Sequence, residues 1–378
     1  MTSKERFLTA IQNGTPDQVP MTPDISNYIP VARRGGPFWE VYFERAEPLW
    51  KLYIDAAEYY GLDMWIGSCA GVPVVTEGPE PQVELRMADE RDAMIRATTW
   101  ETPDGPLAAE DICFRREPPT HRTRIIKNLE QDWPKYRHLI SGPVDIDRVT
   151  IDEVRRAAAA KEQAFGLGIG YPGFHGWEGK VEGSVQTLTY AFADTPEILD
   201  EWADLQLARG TRVLELFLEE KPDYVQLGGS GTLTLASPEL ARRYALPAIA
   251  RYSAMCKKAG VPTVLHSCGR SRELVNMLAD NTDVDCINPL EMAPMGDVDL
   301  AEVKRARGKD IALMGNLHTT DTMLHGTKQE VYEAARDALL AAREGGGFVL
   351  STGDQCPRET PEENLFVLHE AVTDFGVY

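Results

Sequence analysis

The chain has 378 residues and a formal net charge of −20 at pH 7, with 43% hydrophobic and 26% charged residues. These values are typical of a globular protein with one large α/β barrel or two ordinary domains. The negative charge argues against nucleic acid or an anionic membrane surface as partner, since phosphate binding needs a basic face. No signal-peptide pattern or apolar run long enough to span a bilayer is present, and the six cysteines are scattered. We therefore expect reduced thiols and a cytoplasmic location.

Helix and strand patterns alternate through the first third of the chain. An amphipathic helix at 3–12 precedes a short strand at 19–24, a long loop at 25–40, a helix at 46–60 and a second strand at 63–67. Apolar and polar residues then alternate in three segments between about 80 and 127, around the turn Pro103-Asp-Gly-Pro106. This alternation predicts an antiparallel hairpin or meander inserted into the main fold.

From residue 151 onward, helices and short apolar strands alternate regularly. The predicted strands lie at 166–171, 224–228, 263–266, 286–290, 311–315 and 347–351. With the two earlier strands they make eight β/α units, and unbroken apolar strands are typical of a buried parallel sheet. The sequence therefore predicts a single α/β domain over 1–378, a TIM (β/α)₈ barrel with an antiparallel β insert at about 80–127. A doubly wound sheet is the alternative, but no G-x-G-x-x-G turn follows the first strand.

Metal-capable side chains recur where the predicted strands end, which is where the reactive groups of a TIM barrel lie. The strand at 263–266 ends on His266 and is followed by Cys268, and strand periodicity directs both side chains to one face. Glu291 and Cys356 follow two later strands. Imidazole and thiolate are preferred zinc ligands, and three protein ligands with one exchangeable position make a catalytic site. We expect His266, Cys268 and Cys356 to bind the metal. Glu291 is the candidate for the fourth position, a general acid or base, or a salt-bridge partner.

Other side chains are expected near the barrel mouth. Asp24 and Asn316, at two further strand ends, join Glu291 as catalytic candidates. The candidates for substrate binding are Tyr28, Trp39, Tyr171, His175 and His318. The alternative for the aromatic residues is that they only cover the mouth of the barrel.

Four motifs together resemble the uroporphyrinogen decarboxylase superfamily and, within it, the branch of corrinoid-dependent methyltransferases. They are His266-x-Cys268-Gly269, Asn288-Pro-Leu-Glu291, Met314-Gly-Asn316 and Cys356-x-x-x-Thr360-Pro-x-Glu-Asn364. The resemblance implies that His266, Cys268 and Cys356 bind a catalytic zinc ion. The arginine-rich segment and the Asp-Ile pair of the decarboxylases themselves have no match at 24–30 and 67–69, which argues against decarboxylation.

The resemblance also implies a reaction. A methyl group would move between a small substrate and the cobalt of a corrinoid (cobalamin) on a partner protein, because the chain has no Asp-x-His-x-x-Gly cobalamin-loop motif. Zinc would bind a thiol substrate as thiolate or polarise the oxygen of a methyl ether. The loop aromatics favour a methoxylated aromatic donor and O-demethylation. A methyl-corrinoid:thiol methyltransferase, a porphyrinogen decarboxylase and a non-catalytic protein that docks a corrinoid carrier are the alternatives, and a homodimer is left open.

Overall fold

The computed structural model describes residues 1–64, 74–89 and 92–378. Within these ranges, none of the helices combines the length and the apolar character that crossing a membrane requires. Cys69 and most of the predicted strand at 63–67 lie outside the described residues.

The described residues form α-helices, β-strands and two π-helical turns. The helices are α1 (Ser3–Ile11), α2 (Ile29–Arg34), α3 (Phe38–Tyr42), α4 (Leu49–Tyr60), α5 (Leu129–Ile140), α6 (Arg148–Ala160), α7 (Phe174–Trp177), α8 (Ser184–Asp194), α9 (Pro196–Glu219), α10 (Pro238–Leu240), α11 (Leu246–Ala259), α12 (Arg272–Asn281), α13 (Leu300–Arg307), α14 (Lys328–Ala342) and α15 (Glu362–Phe375). The strands are β1 (Val74–Thr76), β2 (Pro81–Met87), β3 (Ala93–Thr102), β4 (Gly105–Phe114), β5 (Thr120–Thr123), β6 (Val144–Ile146), β7 (Gly166–Gly170), β8 (Tyr224–Gly228), β9 (Thr263–His266), β10 (Cys286–Asn288), β11 (Ala312–Leu317) and β12 (Phe348–Thr352). The π-helical turns are Ala241–Ala245 and Thr319–Leu324.

Strands β7 to β12 form a six-stranded sheet in chain order, and every neighbouring pair is parallel. Helices follow the strands, as the predicted β/α units require. The predicted α/β barrel architecture is therefore confirmed for these six units.

The first predicted strand, at 19–24, continues this sheet without becoming a regular strand. Met21 makes an isolated parallel bridge with Leu350 of β12. On its other side the backbone N–H of Asp63 donates to Met21 O at 2.9 Å. Pro20 and Pro23 have no N–H to donate, so an unbroken ladder cannot form over this segment.

The inside of the sheet is closed at its amino-terminal end by α1. The inward-facing side chains Tyr224, Val264 and Met314 are buried in one cluster with Phe7 and Ile11 of α1. The alternate side chains of the strands, such as Leu227 and Leu313, pack outward under the helices. Because parallel strands carry their functional groups at the opposite, carboxyl end, α1 leaves that end free.

The predicted antiparallel insert is confirmed as a four-stranded sheet in the order β2-β3-β4-β5. The short pair β1 and β6 brackets it. An aromatic cluster joins it to the barrel: Leu107 of β4 and Trp133 of α5 are buried together with Trp177 and Trp202. The ring centroids of Trp133 and Trp202 are 5.3 Å apart, and those of Trp177 and Trp202 are 5.0 Å apart.

Candidate functional site

Three metal-capable side chains converge at the carboxyl ends of the barrel strands. They are Cys268 after β9, Glu291 after β10 and Asp354 after β12. The Cys268 sulfur and one carboxylate oxygen from each of the two acids all lie within 4.8 Å of one another. Glu291 is buried, whereas Cys268 and Asp354 are partly exposed. A thiol and two carboxylates of this spacing can hold a metal ion while keeping one side open.

The backbone around Cys268 allows the sulfur and Glu291 to approach each other. Gly269 has a φ of +79°, and its N–H donates to Glu291 Oε1 at 2.8 Å. A Cβ atom at Gly269 would lie only 2.0 Å from Oγ1 of Thr234. That hydroxyl oxygen already accepts the backbone N–H of Arg270 at 2.8 Å. Only glycine satisfies both the left-handed conformation and the close approach.

Asp354 is held in a conformation that non-glycine residues rarely adopt, with a φ of 126°. The Thr352 hydroxyl donates to the backbone oxygen of Asp354 at 2.7 Å and accepts the N–H of Asp24 at 2.9 Å. The Oδ1 atom of Asp354 is buried and has no hydrogen-bond partner among the described residues. An acceptor left without a donor in a strained turn suits a cation ligand.

Electrostatics at the cluster also favour a cation. Burial and the nearby Asp354 carboxylate raise the pKa of the Cys268 thiol, a hydrogen bond with Ser230 lowers it, and the resulting pKa is about 11. Burial likewise raises the pKa of Glu291, and the N–H of Gly269 opposes this shift. Buried acids so close together repel each other when ionised, and a bound divalent cation would favour their ionised forms. The donor set therefore fits a metal ion.

The three predicted zinc ligands lie in different positions relative to this cluster. Cys268 is a member of it. His266 ends β9 in register with Asn288 and lies near the buried Asp24. Cys356 is fully buried beside Asp24, whose backbone oxygen accepts the Cys356 N–H at 2.7 Å. Among the described residues, neither His266 nor Cys356 belongs to a group of three ligand atoms within 4.8 Å. Their role as ligands stays a prediction.

The catalytic candidates Asp24 and Asn316 both position the loops of the cluster. Burial raises the pKa of Asp24, and the charge of Asp354 adds to the shift. Asp24 Oδ1 accepts the backbone N–H of Ser26 at 2.8 Å. The Asn316 side chain is buried and donates to Leu290 O at 3.1 Å, which fixes the residue directly before Glu291.

Two substrate-binding candidates, Tyr171 and His175, lie together on the side of Cys268. The Tyr171 ring is buried, its hydroxyl is 2.8 Å from Thr232 Oγ1, and its pKa is raised by burial and by the Cys268 charge. His175 Nε2 donates to Tyr171 O at 3.1 Å, and the two rings are 4.6 Å apart. These contacts support the wall of the site behind the thiol.

The remaining substrate-binding candidates lie in other surroundings. Trp39 is 6% exposed and belongs to a buried cluster that packs against the insert. The partly exposed Tyr28 packs against this cluster. His318 Nδ1 accepts the N–H of Asp321 at 2.9 Å, and its Nε2 is buried without a hydrogen-bond partner among the described residues. The geometry does not bring Trp39 to the cluster. Its role in substrate binding, like that of Tyr28 and His318, stays a prediction.

Asp354, Ser230 and Thr234 contribute to the site but were not among the site residues predicted from the sequence. Asp354 follows a glycine directly after a buried strand, and this position could have identified it as a ligand candidate. Ser230 and Thr234 act through contacts with a loop about 35 residues away, for which a single sequence carries no signal.

The parallel barrel, with metal-capable side chains at the carboxyl ends of its strands, places this protein in the class of TIM-barrel enzymes. Within that class, the family model described as Uroporphyrinogen decarboxylase (URO-D) matches residues 177–375, more than half of the chain. The chain belongs to this family, and the resemblance inferred from its motifs is confirmed.

Relatives in this family include methyltransferases and decarboxylases. The chain is 28% identical to a methylated-thiol–coenzyme M methyltransferase of Methanosarcina mazei, over 47% of this chain and 42% of the relative. It is 25% identical to a methylcobamide:CoM methyltransferase of the same organism, over 48% and 49%. It is 30% identical to a uroporphyrinogen decarboxylase of Anaeromyxobacter dehalogenans, over 36% and 38%. The matched regions span less than half the length of these relatives.

A solved structure described as a methyltransferase from Methanosarcina mazei covers 99% of this chain and 99% of its own, with a TM-score of 0.66 and 17% identity. At this identity the likeness shows the fold alone. It extends over the barrel and the insert together.

Proposed function

We propose that the protein is a metal-dependent methyltransferase that moves a methyl group between a small thiol and the cobalt of a corrinoid on a partner protein. The cluster of Cys268, Glu291 and Asp354 carries this proposal, because it fits a metal ion where a TIM barrel binds substrate. Two methyltransferase relatives, one acting on methylated thiols and one named for methylcobamide, support the thiol and the corrinoid.

Cys268, Glu291 and Asp354 would hold the metal and leave one position for the substrate, whereas ligation by His266 and Cys356 stays a prediction. Zinc is the candidate because a thiolate ligand favours a borderline-soft ion over magnesium or calcium. Bound there, zinc would bind the sulfur of a thiol and favour its deprotonated, nucleophilic form.

The residues around the metal would hold the site rigid. The Gly269 N–H fixes Glu291, and the Asn316 amide fixes the preceding residue. The buried Tyr171 ring closes the side behind Cys268 and excludes water there. This arrangement leaves the partly exposed face of Cys268 and Asp354 for the substrate and for the approach of the corrinoid.

A methoxylated aromatic donor, favoured by the loop aromatics in the sequence, has less support than a thiol. Trp39, Phe174 and Trp177 are 6%, 1% and 1% exposed and pack in two buried clusters. Side chains this deep in the core offer little surface to an aromatic substrate. O-demethylation stays a prediction for the same experiment to test.

The experiment combines metal analysis with methyl transfer. We expect about one zinc ion per chain, lost or strongly reduced in Cys268→Ala and Asp354→Asn. Transfer from methylcobalamin to a panel of thiols that includes coenzyme M should fall in the same two variants. Methoxyaromatics and methanol, assayed with Co(I) corrinoid, complete the panel.

The matched control is Asp310→Asn, which removes an exposed carboxylate that lies 3.4 Å from Arg307. It should keep the zinc and the activity of the native chain. The proposal fails if methyl transfer survives exhaustive chelation, or if the metal-free protein decarboxylates uroporphyrinogen.

A further inference from the structure

A cavity lies between the insert and α5, away from the Cys268 cluster. Its volume is about 580 Å³. One face of the sheet β2–β5 forms its floor, and α5 contributes Tyr136 and Ile140. Val83, Trp100 and Ala109 add apolar surface. None of the residues that line it belongs to the Cys268 cluster. We call this cavity the insert cleft.

The charge of the insert cleft is opposite to that of the protein. Four permanently cationic side chains line it: Arg45, Arg96, Arg124 and Lys180. Among the described residues that line the cleft, Asp111 is the one carboxylate. Its oxygens are already bound by Arg96 at 2.8 Å and by His121 at 2.8 Å. In a chain of net charge −20, a cleft with an excess of cations points to an anionic ligand.

Several donors in the insert cleft lack partners. The Nε atom of Arg124 is buried without a hydrogen-bond partner among the described residues, and Nη2 lies 3.6 Å from Glu178. Arg45 and Lys180 have no carboxylate oxygen within 4.0 Å in the described part of the chain. A buried guanidinium N–H without an acceptor is costly, so the Arg124 side chain is incompletely satisfied, while the exposed Lys180 ammonium can receive a ligand carboxylate directly.

The backbone brings Arg124 and Lys180 to neighbouring positions. The N–H of Ile126 donates to Lys180 O at 2.9 Å, and Ile126 forms a parallel bridge with Val181. The two cations therefore lie on adjacent segments at one end of the cleft. Gly179 lets the His121 ring approach this end of the cleft closely, because a Cβ atom there would come within 3.2 Å of His121 Nε2.

We propose that the insert cleft binds a small organic acid with a flat apolar body. Arg124 and Lys180 would bind its carboxylate, while Trp100, Tyr136 and Ile140 would contact its body. The apolar walls distinguish this ligand from a bare inorganic anion, and the excess of cations over carboxylates distinguishes it from a neutral apolar molecule. The inference does not depend on methyl transfer, since the two sites share no residue.

The experiment measures ligand affinity by isothermal titration calorimetry on the full chain. The probes are 2-naphthoate, its neutral analogue 2-naphthalenemethanol, and inorganic phosphate. We expect saturable binding of naphthoate that weakens at higher ionic strength, and much weaker binding of the other two. Lys180→Gln and Arg124→Gln should each weaken naphthoate binding by about tenfold or more. Ala109→Trp, which fills the floor of the cleft, should abolish it.

The matched control is Arg122→Gln. Arg122 neighbours the lining residues His121 and Thr123, but its side chain points to the opposite face of the sheet and pairs with Glu110 at 3.1 Å. Naphthoate affinity should be unchanged in this variant, and circular dichroism should show that all variants are folded.

Four results would overturn the proposal: no binding of naphthoate, equal binding of the alcohol, equal binding of phosphate, or equal loss of affinity in Arg122→Gln and Lys180→Gln. None of these results bears on the Cys268 cluster, so the two proposals stand or fall separately.

Discussion

His175 shows how one side chain can couple stability to pH. Its ring packs against Tyr171, and Nε2 donates to the backbone oxygen of that residue. Burial lowers the pKa of His175 to about 4, from an ordinary value of 6.5. The neutral ring is therefore the form that fits the folded protein.

The lowered pKa of His175 predicts a loss of stability in acid. Between pH 6.5 and pH 4 the unfolded chain binds a proton at this residue and the folded chain does not, so folding weakens as pH falls. The contribution of the neutral His175 ring to the free energy of unfolding is complete above pH 6.5. It amounts to ~2 kcal/mol, allowing for the partial exposure of the ring. Urea unfolding across this range should show a shallower pH dependence in His175→Gln than in the native chain. An unchanged pH dependence in His175→Gln would contradict the assignment. His325→Gln, at an exposed position, controls for the loss of a histidine.

The sequence predicted which residues lie near the site better than it predicted how their side chains are arranged there. His266, Cys268, Glu291 and Cys356 were selected because they follow strands, and each does lie at the carboxyl end of the barrel. A single sequence cannot show the φ of 126° at Asp354 or the orientation of its carboxylate. For this reason the three side chains that converge include one that the sequence did not select as a ligand.

At the scale of an element, Gly269 in the turn after β9 contacts two neighbouring loops, through Thr234 after β8 and Glu291 after β10. Gly269→Ala would place a methyl group against Thr234 and force a residue with a Cβ into a φ of +79°. We expect ~1–3 kcal/mol of lost stability from these strains. The displaced turn should also lower the zinc content, because Gly269 holds Glu291 and adjoins Cys268. Urea unfolding and metal analysis measure the two effects.

Gly260→Ala provides the matched control. Gly260 ends α11 with a φ of +71°, and a Cβ there would meet no atom within 4 Å. This variant should lose ~1 kcal/mol from the backbone strain alone and keep its zinc. Native zinc content in Gly269→Ala would show that the turn does not position the ligands.

Elements with strong periodicity were predictable and those shaped by neighbours were not. The six apolar strands from β7 to β12 and the antiparallel insert formed close to their predicted positions. The segment at 19–24 looked like a strand by its apolar residues, but Pro20 and Pro23 limit it to an isolated bridge. Its place beside β12 depends on a partner more than 300 residues away, which local pattern cannot reveal.

At the scale of the molecule, the aromatic cluster joins the insert to the barrel. Trp133 and Tyr136 of α5 pack on Trp202 of α9, at centroid distances of 5.3 Å and 5.2 Å. The sequence predicted one domain with an insert, but it did not identify Trp133 and Tyr136 as members of the cluster that joins them. Their packing partners come from α9, which follows more than 60 residues later.

This cluster predicts that the insert and the barrel unfold together. Trp202 is 2% exposed and contacts both parts, so neither part can unfold without exposing the apolar surface of the other. Scanning calorimetry of the native chain should show one transition, with equal calorimetric and van't Hoff enthalpies. Trp202→Ala should remove ~3–5 kcal/mol of stability and lower the midpoint of that single transition.

Leu340→Ala, at a side chain that is 55% exposed, is the control and should leave the midpoint nearly unchanged. Two resolved transitions in the native chain would mean that the insert is an independent domain, and the insert cleft would then lie at a boundary between domains.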